Sequence, residues 1–190
     1  MHTIEPFYRW LQYYDPAHDE HSPFYGKEYN YDIYSEAIYN YYIDPAWDFM
    51  GSETLYMKIL FADYNEGYMV IEFIGEWNDA LHNDIMHFKR NIIDHFLYLD
   101  IRKFILIGEN VFNFHGSDDS YYEEWFDELE DGWVAAVNFR DFVLQEMAKY
   151  HLDSYINSGG GLQIDNWRSF DPPALFHRID SIISRRLGSP

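Results

Sequence analysis

The chain has 190 residues, of which 47% are hydrophobic and 24% are charged, and this balance excludes a disordered or low-complexity protein. Its 33 acidic and 13 basic side chains give a formal net charge of −20. This charge makes nucleic acid and anionic membranes poor partners, because phosphate groups are bound by cationic side chains, and the absence of cysteine excludes disulfides and thiolate chemistry.

The length and the first residues bear on domain count and location. A chain of this length suits one domain with an appendage. We expect no membrane segment, since a bilayer span takes about 20 consecutive apolar residues and charges interrupt every long stretch of this sequence. The segment Met1–Glu5 has neither the basic nor the apolar region of a signal peptide, so a cytoplasmic location is expected.

Residues 1–50 form an aromatic segment that is broken by Asp-Pro and Ser-Pro pairs, which favour turns. Aromatic and apolar residues at helical spacing predict a short helix near 33–43, and a second helix is predicted from Ile4 to Tyr14. We interpret this segment as an arm that packs on a domain formed by residues 51–190. A platform for an aromatic ligand and a seal between two copies of the chain are the alternatives.

Regular patterns begin after Gly51. Leu55–Phe61 and Tyr68–Ile74 are strand-like runs joined by a short turn, which predicts a β-hairpin. Apolar residues then recur at helical spacing from Leu81 to Leu99, and Asn78–Asp79 is suited to cap that helix.

The second half alternates buried strands with helices. Lys103–Ile107 is a short apolar run typical of a parallel sheet, and a loop is predicted from Gly108 to Asp119. Ser120 and Glu123 have the spacing of a capping box at the start of the next helix, and Trp133–Val137 is the following strand.

The C-terminal part completes the alternation. A helix through Leu144–Tyr155 is predicted to stop before Gly159–Gly161, and a last strand is predicted over Gly161–Asp165. Asp171, followed by two prolines, predicts the start of a helix that carries apolar residues to Leu187. The predicted fold class is therefore α/β, with a single mostly parallel mixed sheet, an initial β-hairpin and four flanking helices.

Residues 68–187 resemble the STAS domain, the module of anti-sigma factor antagonists, in element order and in local sequence. Phe73–Asp79 is similar to the hydrophobic-Gly-Glu-x-Asp turn before the first long helix of that family, and Val111–Asp118 stands in the place of its Asp-Ser-Ser-Gly loop. Trp133–Asn138 resembles the next strand, and Met147–Ile156 resembles the closing Leu-x-x-x-Leu helix. A STAS-like domain with a tyrosine-rich arm also resembles uncharacterised bacterial proteins, a likeness that implies no function.

The resemblance implies a non-catalytic regulatory module that binds a protein partner. Its partner surface would be the loop Asn113–Ser120 and the acidic helix through Asp131, and no cofactor is implied. The chain departs from the family at the phosphorylation switch. His115 stands where the family has Asp, Gly116 stands where it has the phosphorylated Ser, and Ser117 is displaced by one position.

Polar residues also collect where the predicted parallel strands end, which is where open α/β sheets bind ligands. An enzyme or a small-molecule-binding protein is therefore the alternative function, with His115 as a general base oriented by Glu109 or Asp118. Loop polarity and helix capping account for the same residues. The candidate residues for a partner or ligand are Glu109, Asn110, Asn113, His115, Ser117, Asp118, Asp119, Asn138, Arg140 and Trp167.

The histidines do not predict a metal site. His18–His21 offers two imidazoles and two carboxylates but lies between prolines in a predicted loop, and the spacing of His87 and His95 differs from HExxH. Gly159–Gly161 lacks the Lys-Ser/Thr ending of a phosphate-binding loop. No metal and no cofactor are therefore predicted.

Overall fold

The computed structural model describes residues 2–34, 36–39 and 41–188. Two sheets are present, one of three short strands in the order β1-β3-β2 and one of five strands in the order β4-β5-β6-β7-β8. The predicted α/β class is confirmed, although the arm adds a second sheet. The strands are β1 His2–Ile4, β2 Ala37–Ile38, β3 Tyr41–Ile43, β4 Asp48–Phe49, β5 Leu55–Asp63, β6 Tyr68–Asn78, β7 Lys103–His115 and β8 Trp133–Val137.

Helices cover both faces of the five-stranded sheet, and several connections contain a 3₁₀ turn. One face, which includes Phe104 of β7, packs on Phe88 and Trp125, and the other packs on Trp167 and on apolar residues of the last helix. The helices are α1 Asp79–His82, α2 Asp84–Phe88, α3 Asp94–Tyr98, α4 Ser120–Glu128, α5 Asp141–Lys149 and α6 Pro172–Leu187, with a π-helical turn at Lys89–Ile93 between α2 and α3.

The arm is extended where helices were predicted. The prediction of a helix near 33–43 is wrong, because this segment forms β2 and β3, which are joined by a turn in which Tyr39 has a left-handed φ of 55°. The predicted Ile4–Tyr14 helix is reduced to a 3₁₀ turn over Tyr8–Gln12 that follows β1. Trp10 in this turn is buried in the core and packs edge-to-face on Trp167.

The predicted hairpin is confirmed, since β5 and β6 pair antiparallel. β6 then pairs with β7, and β7 with β8, in parallel. Gly75 lies in β6 where the register with β7 shifts. It has a φ of +126°, and a Cβ there would lie 2.1 Å from the carbonyl oxygen of Thr54, so the close approach of β5 requires glycine.

The long helix predicted from Leu81 to Leu99 is interrupted. Asn78 caps α1 as predicted, by accepting a hydrogen bond from the Leu81 N–H. Asn83 then takes a left-handed conformation with a φ of 53°, which ends α1 and leaves Leu81 exposed to solvent. The π-helical turn further along places Lys89 on the buried side.

The loop predicted from Gly108 to Asp119 is largely strand, because β7 continues to His115. Val111 and Phe114 are buried in this extension, which pairs with the last residues of β6. Polar residues such as Asn113 interrupt the apolar pattern here, and they gave the segment the composition of a loop.

Two other local predictions are wrong. The capping box does not form, since the hydroxyl of Ser120 donates to Asp118 and residue 119 holds the N-cap position. The strand predicted at Gly161–Asp165 does not form, and a 3₁₀ turn over Gly160–Leu162 takes its place. The backbone N–H and carbonyl of Ile164 bind the side chain of Asn138. Asp171 caps α6 as predicted.

Candidate functional site

β6 and β7 end together, with Asn78 paired to His115, whereas β8 ends earlier, at Val137 opposite Ile107. The candidate residues fall into three groups along this part of the sheet. The first group surrounds Glu109, the second surrounds His115, and the third is the loop after β7 with the outer side of α4. The groups differ in burial and in how their charges are paired, so each supports a different function.

The Glu109 group is a closed ion pair. The indole N–H of Trp167 donates to Glu109 at 2.5 Å, and the guanidinium of Arg168 donates to both carboxylate oxygens at 2.8 and 3.1 Å. Trp167 is completely buried, so this candidate residue is part of the core. Arg140 donates to the Glu109 carbonyl and lies over the ring of Phe112.

A cavity of about 400 Å³ opens beside this group. Arg140 is its exposed cation, whereas Asn138 is held by the two hydrogen bonds to Ile164. The cavity lies at the edge of the sheet where the sequence predicted a ligand. Its lining residues are Glu109, Asn138, Phe139, Arg140, Asp141, Gln163 and Asp165.

The His115 group contains a different carboxylate from those predicted. The Nε2 atom of His115 lies 3.4 Å from Glu76 Oε1 and 3.0 Å from the amide nitrogen of Asn113. Glu76 also accepts hydrogen bonds from Asn78 at 2.9 Å and from Tyr39 of the arm at 2.6 Å. The predicted pairing of His115 with Glu109 or Asp118 is therefore wrong.

The loop after β7 is held at two points. Gly116 lies under Tyr150, and a Cβ at Gly116 would lie 2.3 Å from that ring, so no side chain fits where the STAS family has its phosphorylated serine. The hydroxyl of Tyr155 donates to Asp119 at 2.9 Å. Ser117 is half-buried between these points, and Asp118 is exposed.

The outer side of α4 is divided into two halves. Towards α3, Glu124 and Glu128 bind the buried amine of Lys89, and Glu124 also pairs with Arg90 at 2.5 Å. Although burial acts to lower it, the pKa of Lys89 is raised by hydrogen bonds to Asp94 and Glu128. These carboxylates lie close enough together to hold a cation, but Lys89 already occupies that position.

The other half of α4 carries unneutralised charge. Glu123 and Asp127 are exposed, and in the described ranges the ion pairs of α4 are made by Glu124 and Glu128 instead. Phe126 is the i+3 neighbour of Glu123 on the helix surface, is 48% exposed and touches Tyr155 edge-on. We call the surface formed by Asp118, Glu123, Phe126 and Asp127 the acidic ridge.

Buried acids inside the fold were missed by the sequence analysis. Asp79 accepts hydrogen bonds from Trp77, Ile85 and Tyr122, and burial raises its pKa to about 6. Glu72 is fully buried on the opposite side of the sheet. The signal for Glu72 in the sequence was an acidic residue inside an apolar run, whereas the contact of Asp79 with Tyr122 joins segments 43 residues apart.

The remaining candidates do not gather at one point. Asn110 is half-buried within β7. His18 binds Asp15, and His21 packs on Tyr64. None of the described helices has the length and apolar character needed to cross a membrane.

Comparisons with known proteins give one kind of likeness. No protein-family model matches the chain, and no curated protein matches it. Among solved structures, the unphosphorylated form of the anti-sigma factor antagonist SpoIIAA is similar with a TM-score of 0.42 and 15% identity, over 60% of this chain and 98% of that one. SpoIIAA belongs to the class of proteins that the sequence motifs resemble, and the likeness concerns the fold alone.

Proposed function

We propose that this chain is a non-catalytic protein-interaction module with a regulatory role, and that its partner binds the acidic ridge. The observation that carries the proposal is the division of α4. Its inner carboxylates are neutralised by Lys89 and Arg90, whereas Glu123 and Asp127 keep their charge beside an exposed phenylalanine.

Two physical arguments favour a partner at this surface. Like charges four residues apart on a helix cost about 0.2–0.5 kcal/mol, so Glu123 and Asp127 weaken the helix that carries them. An exposed aromatic side chain ringed by polar groups has the composition of an interface centre with a charged rim. A partner with a basic segment and an apolar contact would relieve both conditions.

The held loop supports the same surface. Gly116 and Asp119 fix the loop before α4, so Asp118 is presented next to the helix without a large ordering cost on binding. The loop Asn113–Ser120 is also where the STAS resemblance implies a partner. Because Gly116 carries no hydroxyl group, we propose that binding here is not controlled by phosphorylation at that position.

The test is a quantitative pull-down from a lysate of the source cell. The double reversal Glu123→Lys and Asp127→Lys is compared with the wild type and with a control reversal, Glu20→Lys and Glu53→Lys, at two other exposed positions. We expect a protein recovered with the wild type and the control and lost with the ridge variant. A protein recovered equally with all three variants contradicts the proposal.

A small-molecule site is the second candidate, and the cavity beside Glu109 favours it. Arg140 suits an anionic group of a ligand there. The test is a thermal-shift screen of small carboxylates and phosphates, repeated with Arg140→Ala and His115→Ala. Stabilisation lost in Arg140→Ala but kept in His115→Ala assigns the cavity, and the reverse result assigns the His115 group.

The domain division and the oligomeric state stay predictions. We propose that residues 1–50 are an arm on the unit formed by residues 51–190. If the arm seals a dimer, sedimentation should give twice the monomer mass. A monomer mass would exclude the dimer.

A further inference from the structure

The carboxylate of Glu72 joins the arm to the centre of the sheet. The backbone N–H of Phe7 donates to Glu72 Oε2 at 2.8 Å, across 65 positions of sequence. Phe7 and Trp10 continue the contact by packing edge-to-face on Trp167, and the Trp10 indole N–H donates to the carbonyl of Phe170. This contact holds the first turn of the arm against the loop before α6.

The other oxygen of Glu72 has an incomplete environment. Oε1 is buried and accepts no hydrogen bond, and the nearest cation is the Arg168 guanidinium at 3.6 Å. Arg168 gives its shorter contacts to Glu109. A buried carboxylate with an unsatisfied oxygen is costly when ionised, and it is far less costly when protonated.

Charged side chains approach Glu72 from the loop before α6, from β7 and from β5. Arg168 faces it from the loop before α6, and Glu109 lies behind Arg168 on β7. On β5, Lys58 is the cross-strand partner, but its amine is engaged by Asp48 and Tyr29. The arm contributes the Phe7 N–H.

The balance of these effects favours the neutral acid. Burial raises the pKa of Glu72 to about 7, against the opposing effects of the Phe7 N–H and Arg168. A cavity of about 270 Å³ lined by Phe7, Arg9, Trp10 and Arg168 lies beside the contact. Water therefore has a route to this side of the arm once the contact loosens.

We propose that Glu72 is a proton-controlled clasp for the arm, closed when the carboxyl is neutral and loosened when it is ionised. A carboxyl that holds its proton more tightly in the closed state than in the open one favours closure at low pH. Opening therefore becomes easier as the pH rises from about 4.5 to about 7 and then levels off. Opening exposes Glu72, Arg168 and Trp167 to solvent or to another molecule. The inference does not depend on a partner at the acidic ridge.

Hydrogen–deuterium exchange of the full chain tests the clasp. Protection factors, which correct for the pH dependence of the exchange chemistry, are measured at a series of pH values from about pH 5.5 to pH 8.5 for amides of residues 7–12. We expect a loss of protection of roughly 30-fold at the highest pH, while β7 amides at Ile105–Ile107 stay protected. Equal protection factors of the arm at all pH values overturn the proposal.

Two variants assign the effect to Glu72. Glu72→Gln keeps an acceptor for the Phe7 N–H but cannot ionise, so its arm protection should not vary with pH. Asp84→Asn, which alters a buried carboxyl that does not touch the arm, should keep the wild-type dependence. Arg168→Gln removes the opposing cation and should move the midpoint to higher pH. A pH dependence that persists in Glu72→Gln, or a midpoint unmoved in Arg168→Gln, contradicts the clasp.

Discussion

The hydroxyl of Tyr155 donates a hydrogen bond to Asp119 Oδ2 at 2.9 Å and ties the segment after α5 to the loop before α4. We expect Tyr155→Phe to increase the exchange of the amides of residues 116–119 severalfold, because the loop loses one of its two attachments. The α4 amides should be unaffected. Unchanged loop exchange would mean that the packing of Tyr150 on Gly116 holds the loop alone.

Lys89 is the centre of the neutralised half of α4. Its side chain is fully buried, and its amine reaches carboxylates on two elements. Lys89→Met should lower the free energy of unfolding at pH 7 by about 1–3 kcal/mol, because charged hydrogen bonds are lost while the carboxylates stay partly hydrated. Urea denaturation measures this loss.

The ion pair between Lys89 and Asp94 should also make stability depend on pH. Hydrogen bonds from Lys89 and Arg90 lower the pKa of Asp94 although burial opposes them. The stability from this ion pair is present above the usual pKa of aspartate, 3.8, and is lost as the pH falls through the lower folded value. The difference between wild type and Lys89→Met should therefore shrink in acid, and a constant difference down to pH 2 argues against an ionic cause.

The contribution of Asp79 to the free energy of unfolding should depend on pH in the opposite direction to that of Asp94. Burial raises its pKa from 3.8 to about 6, so the folded state binds this proton more tightly than the unfolded chain does. Its contribution is full below pH 3.8 and is lost as the pH rises through about 6. Relative to Asp79→Asn, the wild type should lose about 1–3 kcal/mol between pH 4 and pH 7. A parallel course of the two stability curves contradicts this assignment.

Replacing Trp10 tests whether the arm and the rest of the fold unfold as one cooperative unit. It is buried between Phe7 and Trp167, so Trp10→Ala should cost about 3–5 kcal/mol. Denaturation followed by fluorescence and by circular dichroism should show one coincident transition. A cost below about 1 kcal/mol, or an early transition confined to the arm, would show that the arm folds separately.

The central elements were predictable because their patterns are strong over several residues. The β5–β6 hairpin and α6 have clear apolar patterns together with turn or cap residues, and β8 and α4 have strong apolar patterns of their own. The structure of the arm was predicted wrongly, because tyrosines at helical spacing also fit two short strands. Asn83 and Tyr39 adopt left-handed conformations that only the folded context selects.

The sequence indicated which polar residues to consider, but it did not indicate which of them contact one another. The polar residues of the second half of β7 stood out in the sequence, but the partner of His115 depends on two register shifts between β6 and β7. Those shifts bring Glu76 beside His115 and leave Glu109 to Arg168. The division of α4 into two halves was not visible in the sequence either, because it depends on the burial of Lys89 at the start of the π-helical turn.

The most direct test of the acidic ridge is site-specific photo-crosslinking in the source cell. A benzophenone amino acid replaces Phe126, and in matched controls it replaces Phe49 or Phe142, which are exposed to a similar extent, at 54% and 45% against 48%. We expect a discrete covalent adduct with one partner at position 126 and none at the two control positions. Adducts at position 49 or 142 without one at position 126 would contradict it.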